Sequence, residues 1–225
     1  MELSPEVIFS IKLSLKVSLL STLLVFLLGL PLASLLSFKD FKFKNLLDAV
    51  ITLPLVFPPV VTGYILLLIF GKKGIIGSIL LKLFNFSVVF TWRGALLASF
   101  VASLPIFVKG AKASLEGVNR ELIEVSYTLG KGKLETFFKV ILPLAKNGIV
   151  ASLILSFARA MGEFGATLMV AGNMPMRTTT LPLEIYNLVS MGEMEKANLL
   201  TLFTAIFSVG VIYTVNKLSV GNKSG

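Results

Sequence analysis

The chain contains no cysteine and no histidine. The first absence excludes disulfides and thiolate metal sites, and the second removes the commonest metal ligand and general base. Charge is scarce, at 15% of residues, and acids are scarcer than bases, 12 against 21. Metal or acid–base catalysis is therefore poorly provided for, and no metal or resident cofactor is expected. No G-x-x-x-x-G-K-[ST] phosphate loop occurs, so the chain must borrow any nucleotide-derived energy from elsewhere. The formal charge of +9 does not point to nucleic acid, because the basic residues are scattered between long apolar runs.

What is present is mostly apolar, 55% of residues, a membrane-protein balance. Glu2 and Glu6, with no basic start, do not make a secretory signal. Residues 17–38 carry no charge and are long enough to span a bilayer, with Lys12 and Lys16 at the interface. Residues 46–71 form a second, irregular span interrupted by Pro54, Pro58, Pro59 and Gly63. It is either a kinked packing helix or a broken helix lining a pathway. Residues 72–87 hold Lys72, Lys73 and Lys82 around an apolar run too short to cross, so they are expected at the interface. A third span runs from about Val88 to Val108, with Trp92 and Arg93 as anchors at its outer end. The fourth covers about Pro143 to Ala171 and the last 197–216. The expected fold class is an all-α polytopic membrane protein of about five transmembrane helices, six if residues 74–86 insert, in a single domain over 1–225.

Basic residues orient it. Lys39, Lys42 and Lys44, the seven between Lys109 and Lys146, and Lys217 and Lys223 make twelve on one side against eight on the other. The richer side is cytoplasmic by the positive-inside rule. The central loop and the C-terminus are then cytoplasmic and the N-terminus outside.

The polar exception is the loop at about 113–142. Leu115, Val118, Leu122, Val125 and Leu129 recur in helical steps, with Glu116, Arg120, Glu121 and Glu124 off that stripe and facing water. Gly130-Lys131-Gly132 breaks the helix, and a corner of this kind commonly needs the positive φ that glycine adopts freely. A second amphipathic piece, with Leu134, Phe137, Phe138 and Ile141, is expected to stop at Pro143.

This loop resembles that of ABC-importer permease subunits. Glu124-Val125-Ser126, then Gly130, then Val140 and Leu142-Pro143 match the family's E-A-A, G, I-x-L-P pattern, with valine and serine replacing the alanines and valine replacing isoleucine. The resemblance implies a type I ABC importer permease fold. It also implies a cytoplasmic coupling helix docking in an ATPase subunit through Glu121, Glu124, Val125, Ser126, Leu129, Gly130 and Lys131. Glu124 either sets the loop geometry or contacts the ATPase.

A second resemblance covers Ala158-Arg159-Ala160-Met161-Gly162-Glu163-Phe164-Gly165-Ala166-Thr167, Ala171-Gly172-Asn173 and Thr178-Thr179-Thr180-Leu181-Pro182-Leu183-Glu184-Ile185-Tyr186. These stretches, with the Pro54–Tyr64 segment, are similar to the molybdate, tungstate and sulfate permeases, most of all molybdate/tungstate. That implies a homodimer in the plasma membrane with the pathway at its two-fold interface. Two ATPase subunits would bind ATP and magnesium, and an extracytoplasmic molybdate/tungstate-binding protein would deliver the anion. Pathway or gate candidates are Arg159, Gly162, Glu163, Gly165, Thr167, Pro58 and Pro59. Arg159 suits a tetrahedral dianion, or else pairs with Glu163 four residues on. Gly162 and Gly165 allow close helix approach at the dimer interface or within one subunit. Thr167 lines the pathway or bonds back to its own helix. A sulfate or thiosulfate permease is the nearest alternative. An ion-coupled secondary transporter would predict an internal repeat, and none is seen.

Overall fold

The computed structural model describes residues 4–220; Glu2, used in reading the N-terminus, and Lys223, used in orienting the chain, lie outside that range. Every regular element among the described residues is helical, as a chain threading hydrocarbon requires, since helices satisfy their own backbone groups. Helix α1, Pro5–Phe38, is longer than the charge-free stretch that announced it. Ser4 caps it, accepting the Val7 N–H at 3.4 Å, and Pro5 opens its first turn. At 34 residues it is about 51 Å long, more than a bilayer core needs. Lys16 sits 4.1 Å over the Trp92 ring, so its charge rests on the interfacial aromatic.

The second span is broken. Helix α2, Lys44–Val56, and helix α3, Pro59–Phe70, meet at 119°. Phe57 and Pro58 are forced into extended backbone (ψ 141° and 137°) because each precedes a proline. The short helix α4, Ile75–Phe84, follows. Helix α5, Trp92–Glu116, starts later than expected, since Thr91 caps it and Phe90 takes a φ of +59°.

The loop departs from expectation twice. The chain leaves the helix at Gly117, and helix α6, Arg120–Thr128, starts afresh behind its Asn119 cap. Leu115 and Val118 therefore join the core, while Leu122, Val125 and Leu129 are exposed. Nor does the second piece stop at Pro143. Helix α7, Lys133–Thr136, runs through a π turn, Phe137–Ile141, into helix α8, Leu142–Met161. The proline sits in the first turn after the bulge, where the missing donor is tolerated.

The expected fourth span also divides. It ends at Met161 and resumes as helix α9, Gly165–Ala171. Helix α10, Leu181–Ser190, and helix α11, Met194–Val220, complete the chain. Among the described residues, four helices are long and apolar enough to cross a membrane, and up to five if the bent α2–α3 pair counts as one.

The core lies where α1, α5 and α8 pack, around Val25, Leu36, Phe107, Ala111, Leu115 and Ile149. Helices α5 and α8 interlock through small residues: Ser152 occupies the space a Cβ on Gly110 would need, and Ser114 does the same at Gly148. Both serines also donate to a carbonyl within their own helix, so no hydroxyl is left unpaired by the contact.

Candidate functional site

Two regions gather the candidate residues. The first is the α6–α7 corner. Asn119 accepts the Glu121 N–H at 2.9 Å, and Glu121 adds its charge to the first turn, where the helix dipole favours it. At the other end Gly130 has φ +79°. Its N–H donates to the Tyr127 carbonyl at 3.0 Å, and the Lys131 N–H donates back to the Ser126 carbonyl at 3.2 Å. This pair of bonds is a Schellman closure, which needs a left-handed residue at Gly130. Behind the corner, the Ser126 and Thr136 hydroxyls share a buried hydrogen bond of 2.8 Å. Ser126 thus holds α6 to α7 from within and offers no surface. Thr136 went unnoticed in the sequence, because ten residues and a glycine turn separate the two.

Outward, the corner is apolar on a charged loop. Leu129 is 73% exposed and Leu134 76%, with Leu122, Val125, Tyr127 and Phe138 also bare and Glu121 and Glu124 beside them. An exposed apolar patch rimmed by charge is the kind of surface that interaction sites present. A groove of about 380 Å³ lies alongside, between Gly117, Asn119, Leu122, Leu144 and Gly148.

The second region is where the two broken spans touch. Gly165, the first residue of α9, faces Pro59, the first residue of α3; a Cβ there would lie 2.7 Å from that of Pro59. One turn on, Gly63 packs on Ala166 and Met169. Gly165 thus serves close packing within this chain, and Gly162, exposed, does not. Glu163 lies beyond the end of α8, in the break itself, yet its Oε2 is 2.6 Å from Arg159 Nη1. Its Oε1 accepts the Ala166 N–H at 2.8 Å. One buried carboxylate therefore neutralises the arginine and caps the resuming helix. The Arg159 side chain stays 30% exposed and that of Glu163 only 1%. Thr167 is fully buried and its hydroxyl has no partner, so it does not bond back to its helix. Pro58 and Pro59 are exposed at the mouth of the break.

After α9 the chain is tied by side chains rather than helix. Asn173 donates to Asn187 at 2.6 Å, and Thr179 donates to Asn173 at 2.8 Å. Thr178 donates to the Gly172 carbonyl at 3.2 Å. Asn187 carried no signal of its own in the sequence.

Comparison with known proteins agrees with this architecture. The chain is 42% identical over 205 residues to the molybdenum transport system permease protein ModB of Escherichia coli (strain K12), covering 90% of both. It is 36% identical over 215 residues to ModB of Azotobacter vinelandii, covering 96% of this chain and 95% of that one. Against the sulfate transport system permease protein CysT of Salmonella typhimurium it is 30% identical over 215 residues, 96% of this chain and 77% of the relative. The inward-facing MetNI methionine ABC transporter shares the fold at a TM-score of 0.70 and 16% identity, over 94% of this chain and 95% of that one. A bacterial ABC transporter involved in the import of alginate does so at 0.75 and 16%, over 96% and 80%. Residues 26–220 match the family described as "Binding-protein-dependent transport system inner membrane component", and this chain belongs to that family.

Proposed function

We propose that this chain is the membrane permease subunit of an ATP-driven importer of molybdate or tungstate, working as a homodimer whose two copies enclose the pathway. The observation that carries the reading is its 42% identity, over 90% of both chains, to a permease named for molybdenum transport. The exposed apolar corner supports a separate energy-supplying partner. Leu122 and Val125 on α6 and Leu129 just past its end suit a groove in an ATPase subunit, with Glu121, Glu124 and Lys131 at the rim. ATP and magnesium would be held by that partner. ATP binding would draw two such subunits together and, through the Gly130 corner, turn α8 and the break at its end. The pathway would then open toward an extracytoplasmic binding protein, with coupling loop and C-terminus on the cytoplasmic side.

The charge at the break fits passage rather than storage. Because Glu163 neutralises Arg159, the break offers a dianion little net positive charge, and a permeation path must bind weakly enough to release. Selectivity would rest chiefly with the binding protein. The similarity to a sulfate permease favours sulfate as a second reading. The test is ATPase activity of the permease–ATPase complex in liposomes, with the cognate binding protein loaded with molybdate, tungstate or sulfate. Stimulation by the first two alone is expected. Stimulation by sulfate moves the chain to the sister group, and failure to associate with any ATPase removes the importer reading.

A further inference from the structure

Helix α4 has no counterpart in the coupling scheme, yet it is built with care. It lies between the end of α3 and the start of α5, at the face of the molecule opposite the coupling loop, since α5 runs from one to the other. With 10 residues it is about 15 Å long, half a bilayer core, so it does not cross. It is not a loose connection either. A Cβ on Gly77 would collide with the carbonyl oxygens of Phe70 and Gly71, so α4 folds tightly back on the end of α3. Asn85 closes it in the left-handed conformation, φ 48°. The Phe90 N–H then donates to the Val170 carbonyl at 2.9 Å, pinning the next segment to α9.

This fixed helix shows its apolar side outward. Ile75, Ile79 and Leu83, four apart, form one stripe with Ile76, and Ile75 is 79% exposed. Lys72 and Lys73 precede the stripe, Lys82 flanks it, and Arg93 stacks 4.3 Å from the Phe86 ring close by. Between Asp48 and Glu116 the sequence has no acidic residue, and among the described residues none of these cations is in an ion pair. A short apolar helix bracketed by lysines, too short to cross, belongs in the plane of a membrane interface, where the lysines reach headgroups. Beneath Lys72 and Lys73 lies an open groove of about 410 Å³, walled by Leu67, Leu68, Val89 and Phe90. Two ammonium groups at the mouth of an apolar groove match one chemistry: a phosphate joined to a hydrocarbon chain.

We propose that α4 lies in the membrane interface and that Lys72 and Lys73 hold the phosphate of an anionic phospholipid whose acyl chain occupies the groove. A free oxyanion would use the lysines and ignore the groove. A soluble protein docking on α4 would leave its apolar stripe in water until it arrived. The site is independent of the transported substrate.

The chain has no cysteine, so Ile79→Cys gives a unique position for a spin label. The full-length permease is reconstituted in phosphatidylcholine bilayers with and without phosphatidylglycerol. The label is expected to collide with oxygen and not with a water-soluble nickel chelate. Native mass spectrometry is expected to show retained phosphatidylglycerol that excess inorganic phosphate or molybdate does not displace. Lys72→Gln with Lys73→Gln should weaken that retention about 30-fold. Leu68→Trp, which fills the groove and leaves both lysines, should also abolish it. A label reading bulk water overturns the proposal, as does one shielded only when a soluble binding protein is added. So do displacement by phosphate or molybdate, and retention unchanged in both variants.

Discussion

Replacing Gly130 separates backbone conformation from contact at the corner between α6 and α7. Its φ is +79° and nothing lies within 4 Å of where a Cβ would stand. Gly130→Ala therefore meets no clash, and its whole effect is the left-handed penalty of about 1–2 kcal/mol, roughly 5- to 30-fold in the corner's equilibrium. Gly130→Pro cannot reach this φ and also deletes the N–H donated to Tyr127, so it costs about 3 kcal/mol or more. Gly132 is the internal control. Its φ is −74° with equally open space, so alanine there is tolerated and trims the freedom of the unfolded chain. Because the corner buries little besides the Ser126–Thr136 pair, the losses should be local, leaving the melting temperature nearly unchanged. Hydrogen exchange at the Lys131 amide reports the corner, and binding-protein-stimulated ATPase activity reports coupling. The expected order is Gly132→Ala equal to the parent, then Gly130→Ala, then Gly130→Pro with coupling lost. Equal protection in the two alanine variants would refute the conformational account. Full stimulation in Gly130→Pro would refute transmission through the corner.

Arg159→Met should destabilise the protein by up to about 3 kcal/mol, at the low end for a buried pair because the arginine side chain is 30% exposed. Glu163→Gln, which keeps an acceptor for the Ala166 N–H, should lose less, and equal shifts in thermal melting in detergent would contradict this. Gly165→Ala should cost about 1–3 kcal/mol by pushing α9 off Pro59. Gly162→Ala, whose Cβ would sit 3.6 Å from the nearest oxygen, should be nearly silent; matched melting curves for the two would be the contrary result. Ser126→Ala or Thr136→Val alone strands a buried hydroxyl at about 1–3 kcal/mol. The double change should recover part of that in a double-mutant cycle, and strictly additive losses would sink the pairing.

The location of apolar runs was legible because burying them in lipid needs only length and hydrophobicity, which residues 17–38 and 197–216 display openly. Their ends were less so. Ser4 and Thr91 extend or delay helices through single capping bonds, which hydropathy does not register. Gly130 was read correctly because a positive φ follows from chain chemistry at a helix end. The stripe from Leu115 to Leu129 is not one face, because the chain leaves the helix at Gly117 and restarts behind Asn119, a break that periodicity does not register. Leu115 and Val118 found the core, and Leu122, Val125 and Leu129 found none.

Apolar composition and the length of the charge-free runs together settled the all-helical membrane class, and residue spacing marked the glycine corner and offered the Arg159–Glu163 pair as one of two readings. Both depend on interactions within a few residues of chain. Only the tertiary structure decided that Glu163 lies in a break and caps α9, that Gly165 makes room for Pro59 more than a hundred residues away, and that Ser126 faces Thr136 instead of a partner. The Glu163 cap depends on where the chain breaks, and the other two contacts on how separate helices meet, as where Gly165 gives up bulk to admit Pro59.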